Sequence, residues 1–313
     1  MERLNDALGV TRLAPSPTGA LHLGNARTFL VNWALARQRG WRVLLRIEDL
    51  DHPRVKPETI DQTRAELRWL GLDWDDEVPL QTTDLEPCHS ALQKLGRAGL
   101  IYACTRSRAE LLLSAPNEGD QTIRAAAADR PAEAGQPIEQ PKTTSTWRLM
   151  VEPGLCCVSD AFCGDHQIDV ATDCGDFAVW SNRGCPTYQL AVTVDDARQG
   201  VNQVVRGDDL LSSAARQQCL QAHLRLPTPT WWHLPLLRGP DGRRLAKRHG
   251  DTRISRWRSG RPDRLVGLLA SFCTSGDDPV PMTASAFLET FDIDRVPRSD
   301  VIVTSDHIRW LDA

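Results

Sequence analysis

No run of apolar residues in this 313-residue chain approaches the ~20 needed to span a bilayer, and no signal-peptide apolar core stands near its start. Both absences predict a cytoplasmic protein that keeps away from membranes. The nine cysteines are odd in number, scattered, and include no C-x-x-C pair. They point to free thiols in a reducing compartment rather than to a disulfide framework. A basic excess is lacking as well: 37 Lys and Arg stand against 41 Asp and Glu, a formal charge of −4. Bulk charge therefore does not mark a nucleic-acid binder, and any such surface has to be local. Positions 114–145, rich in Ala, Pro, Glu, Gln and Thr, lack a sustained period, which predicts a long, mobile surface excursion.

What is present is the composition of a globular chain, 41% hydrophobic and 25% charged, long enough for two or three modules. Val10 to Ala14 reads as a buried strand. Asn25 to Arg39 has Ala26, Phe29, Leu30, Trp33, Ala34 and Arg37 at helical spacing, which predicts an amphipathic helix closed by Gly40. Trp41 to Ile47 is the next strand. Strand, helix, strand implies a right-handed crossover and a parallel sheet. Further helices are expected over Glu58 to Gly71 and Cys88 to Gly99, and short strands between Trp147 and Trp180. Tyr188 to Val194 is an apolar run that suits a buried parallel strand. Gln203 to Arg206 reads as another, with a helix through Leu210 to Leu224. The simplest architecture is an α/β doubly wound parallel sheet in two halves, split by an inserted α+β module, with a short helical tail. The expected divisions are 1–100, 101–186, 187–260 and 261–313.

Between the first strand and the first helix lies Arg12-Leu-Ala-Pro-Ser-Pro-Thr-Gly-Ala-Leu-His22-Leu-Gly24-Asn25. A tight loop that opens a helix gathers backbone N–H groups and the positive end of the helix dipole, a cradle for phosphates. Gly24 lets a ligand approach the backbone, and His22 can donate to a phosphate oxygen. An ordinary surface turn is the alternative. Between Arg243 and Arg264, nine Lys and Arg stand against two acids. Such a stripe attracts a phosphate backbone, with Arg243, Arg244, Arg248, Arg253 and Arg256 as contact candidates; a solvated basic face is the alternative. Trp231, Trp232 and Trp257 suit base stacking or core packing.

The first block, with Arg46-Ile-Glu-Asp-Leu-Asp51, Tyr188-Gln-Leu-Ala-x-x-Val-Asp-Asp196, Val205-Arg-Gly-Asp-Asp-Leu210 and Arg244-Leu-Ala-Lys-Arg-His-Gly250, resembles the ordered signature blocks of class I glutamyl-tRNA synthetases. The chain is also similar in length to the family's truncated paralogs, which join glutamate to the queuosine base of tRNA(Asp) and lack an anticodon-binding domain. The resemblance implies a Rossmann-like fold and ATP, with Mg2+, as substrate. It implies formation of glutamyl adenylate and transfer of glutamate to tRNA(Asp) carrying queuosine, by a monomer. The alternatives are a truncated enzyme charging the 3′ end of tRNA(Glu) and a non-catalytic paralog that binds RNA or an amino acid.

By the same resemblance the glutamate contacts are Arg12, Ala14, Ser16, Glu48, Tyr188 and Arg206, and the ATP contacts are His22, Gly24, Asn25 and Lys247. The chemistry agrees: arginine forks grip carboxylates, and a carboxylate such as Glu48 holds an ammonium. An internal salt bridge to Arg46 or Arg54 is the other reading of Glu48. His22 and Lys247 are the expected catalytic residues, offsetting charge on the phosphates. Arg244 and Ala246 depart from the family's Lys-Met/Leu-Ser-Lys, which puts full turnover in question. Asp195 and Asp196 suit either water-mediated contacts or a structural strand end. Zinc is not expected: Tyr102 stands where the family's Cys-x-Cys would begin, and Cys104 is a single thiol. Cys156, Cys157, Cys163 and Cys174 with His166 fit no familiar ligand spacing.

Overall fold

A computed structural model gives the fold; the described residues are 8–17, 21–50, 55–106, 127–243, 245, 252–274 and 277–312. Lys247, Arg244, Ala246 and Arg248 lie outside them, as does the 114–126 part of the expected excursion.

Strand β1 (Val10–Leu13) pairs in parallel with β2 (Arg42–Leu45), from Val10 opposite Arg42 to Leu13 opposite Leu45, across helix α1 (Leu23–Gln38). Gly40 follows α1 with a φ of +65°, the left-handed geometry that ends a helix most cheaply in glycine. Helix α2 (Pro57–Trp69) starts on a proline, whose missing N–H costs nothing there, and leads to the short β3 (Asp76–Glu77), parallel to β2. Helix α3 (Glu86–Arg97) follows.

The middle of the chain builds antiparallel structure. Strands β4 (Ile101–Cys104), β5 (Thr146–Leu149), β8 (Phe177–Ser181) and β9 (Cys185–Pro186) form one sheet in the order β4-β5-β8-β9. Between β5 and β8, β6 (Leu155–Asp160) and β7 (Gly164–Asp169) make a hairpin, its turn released by Gly164 at a φ of +89°. Helix α4 (Tyr188–Arg198), strand β10 (Gln203–Gly207), helix α5 (Leu211–Leu224) and strand β11 (Thr230–Leu234) return to parallel pairing. The hairpin joins this sheet where Asp160 pairs with Trp231. Asn202 N donates to Val10 O at 3.0 Å and the Arg12 guanidinium to Val205 O at 3.3 Å. Strands β1 and β10 therefore run side by side in the same direction, and the two halves meet at their seam.

Two expectations change. Residues 188–194 are helical, not extended. All of Gln189 to Asp196 are buried, the polar Gln189, Thr193, Asp195 and Asp196 along with the apolar residues; a short apolar run of this kind cannot be told from a buried strand by periodicity. Helix α1 is likewise not amphipathic: Leu23, Ala26, Arg27 and every residue from Phe29 to Ala36 are buried. Its outer face is covered by the C-terminal segment, where β12 (Leu237–Arg238) pairs with β13 (Val301–Ile302) and helices α6 (Pro262–Ser271), α7 (Ala284–Thr290) and α8 (Ser305–Asp312) gather. Leu30, Leu45, Leu268 and Phe287 belong to one apolar core. Arg27 crosses that core and donates to Pro235 O at 2.7 Å and Phe272 O at 3.1 Å. A second core, with Leu92, Trp180, Val204 and Trp231, lies under the middle segment.

Candidate active site

The carboxyl ends of parallel strands open a crevice where this class of sheet collects ligands. Arg12 on β1, Glu48 just past β2, and Arg206 on β10 all reach it. Ala14 and Ser16 continue β1, and Glu48 N donates to Pro15 O between them at 3.0 Å. Tyr188 is the first residue of α4, and its hydroxyl accepts from Arg206 at 3.4 Å. The six residues expected to contact glutamate thus gather at the strand ends.

Their electrostatics divide them. Arg12 and the fully buried Arg46 share one oxygen of Asp196, at 3.4 and 2.6 Å. Arg46 also pairs with Glu48 at 3.2 Å, so the internal salt bridge exists. Burial pulls Arg46 down, but Asp196, Glu48 and Asp195 more than offset it and hold the guanidinium above its ordinary range. Burial pushes Glu48 above the ordinary carboxylate range, against the pull of Arg46 and Arg12. Asp195, beside Asp196, accepts from Arg198 at 2.7 Å and Gln81 at 2.6 Å.

Arg206 differs. It is 5% exposed, yet among the described residues no carboxylate lies within ion-pair distance. Its Nε–H donates to His233 Nε2 at 3.0 Å, and its terminal nitrogens to Gln217 Oε1 at 3.0 Å, Leu210 O at 3.2 Å and the Tyr188 hydroxyl. The Trp231 ring lies 4.8 Å beneath it. Burial, with Arg12 adding its repulsion, keeps Arg206 below the ordinary range. Direct contacts in the pocket thus set three cations against Glu48 and Asp196, leaving one positive charge for a ligand to meet.

At the other end of the crevice, His22 is the exposed residue preceding α1, with an extended backbone suited to a helix start. Its Nδ1 lies 3.4 Å from Thr252 Oγ1, and Leu23 N donates to Thr252 O at 3.1 Å. Ile254 N donates to Leu21 O at 2.8 Å, so the segment from Thr252 to Ile254 is stitched to the His22 turn. Asn25 is exposed, and a Cβ built on Gly24 meets nothing within 4 Å. Among the described residues, nothing fills the space beside Gly24 in the first turn of α1.

The basic stripe is partly spent. Arg256 pairs with Asp312 at 2.5 Å, and Arg261 with Asp263 at 2.5 Å. Arg243 and Arg253 are exposed. Trp231, Trp232 and Trp257 are buried, which makes all three core residues rather than stacking platforms. Cys163 Sγ meets His166 Nε2 at 3.1 Å. Among the described residues, however, no three His, Cys, Asp or Glu side chains gather as a metal site. No helix among the described residues is long and apolar enough to cross a membrane.

Sequence reading missed Asp160, His233 and Gln217 around Arg206. No motif marks them; Asp160 comes from the inserted hairpin and His233 from β11.

The fold agrees with a solved glutamate-tRNA synthetase from Elizabethkingia anophelis, with a TM-score of 0.79 at 23% identity, over 98% of this chain and 70% of that one. The architecture is that of a class I aminoacyl-tRNA synthetase. A family model described as tRNA synthetases class I (E and Q), catalytic domain, matches residues 10–309. A glutamyl-Q tRNA(Asp) synthetase from Symbiobacterium thermophilum is 40% identical over 316 aligned residues, covering 96% of this chain and 97% of its own length. A glutamate–tRNA ligase from Cereibacter sphaeroides is 36% identical, and the match covers 96% of this chain but 64% of that protein. The chain belongs to the class I tRNA synthetase family for glutamate and glutamine, a family of ligases.

Proposed function

We propose that this protein activates L-glutamate with MgATP as glutamyl adenylate and transfers the glutamyl group to the queuosine base at the wobble position of tRNA(Asp). The observation that carries the amino-acid half is Arg206, a buried guanidinium held by neutral acceptors and, among the described residues, with no carboxylate in ion-pair distance. A buried charge without a partner is costly unless a ligand supplies one. Arg206 and the free edge of Arg12 receive glutamate's two carboxylates. Glu48 takes the ammonium, with the Tyr188 hydroxyl beside it. Ala14 and Ser16 line the same wall.

In the first step an already ionised carboxylate oxygen of glutamate attacks the α-phosphorus of ATP. The new O–P bond forms as the bond to pyrophosphate breaks, so no general base is required. His22, Gly24 and Asn25 at the head of α1 cradle the phosphates with the helix dipole, and Lys247 offsets charge on the departing pyrophosphate. In the second step a hydroxyl of queuosine attacks the activated carbonyl, AMP leaves, and the hydroxyl proton passes to solvent or phosphate. Segments 1–100 and 187–260 act as the nucleotide-binding halves, 101–186 as the inserted module facing tRNA and 261–313 as the tail. Arg243, Arg244, Arg248 and Arg253 are assigned to the RNA backbone, while Arg256, paired with Asp312, would have to give up that partner to join them.

The full-length match to a glutamyl-Q tRNA(Asp) synthetase supports the queuosine acceptor. The match to a longer glutamate–tRNA ligase supports a second reading, charging of tRNA(Glu) at its 3′ end. Transfer of labelled glutamate to purified tRNA(Asp) with and without queuosine, and to tRNA(Glu), separates them. Labelling only the queuosine form is expected. Labelling only tRNA(Glu) establishes the second reading, and no labelling with no glutamate-dependent ATP–pyrophosphate exchange leaves a binding paralog.

A further inference from the structure

We propose that Asp160 and His233 are positioning residues that hold Arg206 in a fixed orientation and leave its charge unneutralised for the ligand carboxylate. This extends the glutamate reading to residues that touch no substrate.

Asp160 is 6% exposed and His233 fully buried. Asp160 Oδ1 accepts the backbone N–H groups of Phe162 and Cys163 at 2.8 Å each, and Oδ2 accepts His233 N at 3.0 Å. The carboxylate is locked in orientation. These bonds and the one from His233 outweigh burial and keep its pKa below the ordinary range. An ionised carboxylate only accepts, so the 2.6 Å contact to His233 Nδ1 requires a proton on Nδ1. Arg206 only donates, so its 3.0 Å contact to Nε2 requires a bare lone pair there. Both demands are met by one species, the neutral imidazole protonated at Nδ1. Burial favours that neutral form.

The chain of contacts spans three elements. Asp160 ends β6 in the inserted segment, His233 lies on β11, and Arg206 on β10 is in register with His233. Direct contact between Asp160 and Arg206 would give the guanidinium an internal counter-ion, as Arg12 has in part from Asp196. The interposed imidazole passes on orientation without giving up charge. Gln217, Leu210 O and Tyr188 complete a shell of neutral acceptors. Trp231 stacks on both members, its ring 6.1 Å from His233.

Asp160→Asn tests the arrangement in the full-length protein. The amide directs an N–H toward Nδ1, which moves the imidazole proton to Nε2 and sets donor against donor at Arg206. In ATP–pyrophosphate exchange, KM for glutamate is expected to rise about tenfold or more while KM for ATP stays within about twofold. Because Asp160 also holds backbone, a second pair of variants guards against simple misfolding. His233→Gln, whose amide can donate to Asp160 and accept from Arg206, should keep KM for glutamate near the parent value; His233→Leu should not. Nitrogen-15 spectra of histidine-labelled protein, with His233 assigned by its loss in His233→Gln, should show Nδ1 protonated in the parent. A parent protonated at Nε2, or glutamate and ATP constants moving together, overturns the proposal. Absence of glutamate-dependent exchange in the parent overturns the glutamate reading instead, and the tautomer spectrum then decides the positioning role by itself.

Discussion

Arg12 and Arg46 point at the same carboxylate oxygen of Asp196, one at 3.4 Å and the other at 2.6 Å. Arg12 on β1 and Arg46, the residue after β2, approach the same point, and the end of α4 supplies the anion between them. Without it two buried cations face each other. Asp196→Asn is therefore expected to cost about 3 kcal/mol or more of folding stability, the usual penalty for orphaning buried charge. Urea unfolding of the two proteins measures it. A loss below about 1 kcal/mol would mean that water or Glu48 compensates.

Gly24 sits in the first turn of α1, and among the described residues nothing lies within 4 Å of where a Cβ would go. Its packing therefore gives the fold no reason to exclude alanine, which is the better helix former by up to about 1 kcal/mol. Gly24→Ala should leave melting temperature equal or higher while kcat/KM for ATP falls, because the methyl group occupies the place assigned to a phosphate. Unchanged exchange kinetics would remove ATP from that turn.

Glu48 carries a pH signature. Its folded-state pKa is raised by burial, so the protonated form suits the folded chain better than the ionised one. The associated stability is present below the unfolded carboxylate value and is lost as pH rises through the folded one. Glu48→Gln mimics the protonated state, so its melting temperature should pull ahead of the parent as pH increases from 4 toward 7, by about a few degrees at most. Glutamate-dependent exchange should collapse in the same variant. A stability gap that shrinks with rising pH would contradict the sign.

Arg206→Met separates recognition from folding. The substitution removes a buried cation whose charge is disfavoured in the fold, so stability should hold or improve. Loss of the charge-assisted contact to a carboxylate is worth about 1.5–3 kcal/mol, or roughly 10- to 150-fold in KM for glutamate. Saturation kinetics in both substrates check this. A loss shared equally with ATP would move Arg206 out of the amino-acid pocket.

The β1–α1–β2 unit was legible because each boundary has a local cause: an apolar run, a loop rich in Pro and Gly, and Gly40 at a positive φ. Residues 188–194 were not, since the polar Gln189 and Thr193 are buried along with their apolar neighbours and a short apolar run reads equally well as a strand. The amphipathic reading of α1 failed for a related reason, because the segment that hides its outer face lies more than two hundred residues away. Arg12, Glu48, Tyr188 and Arg206 were legible by likeness to a known pattern, but their division of labour was not. Only coordinates reveal that Asp196 claims Arg12 while Arg206 is left with neutral partners. Asp160 and His233 are 73 positions apart and share no motif, so nothing local announces them.

The bonds from Arg27 to Pro235 and Phe272 set a timetable for the newborn chain. The Arg27–Phe272 bond spans 245 positions, an interval of about 12–50 seconds at ordinary elongation rates of roughly 5–20 residues per second. Through that interval α1 has no cover for its outer face, and the Arg27 guanidinium remains in water. The first strands to leave the ribosome are thus among the last to be sealed. Any factor that slows translation lengthens the exposure of that outer face.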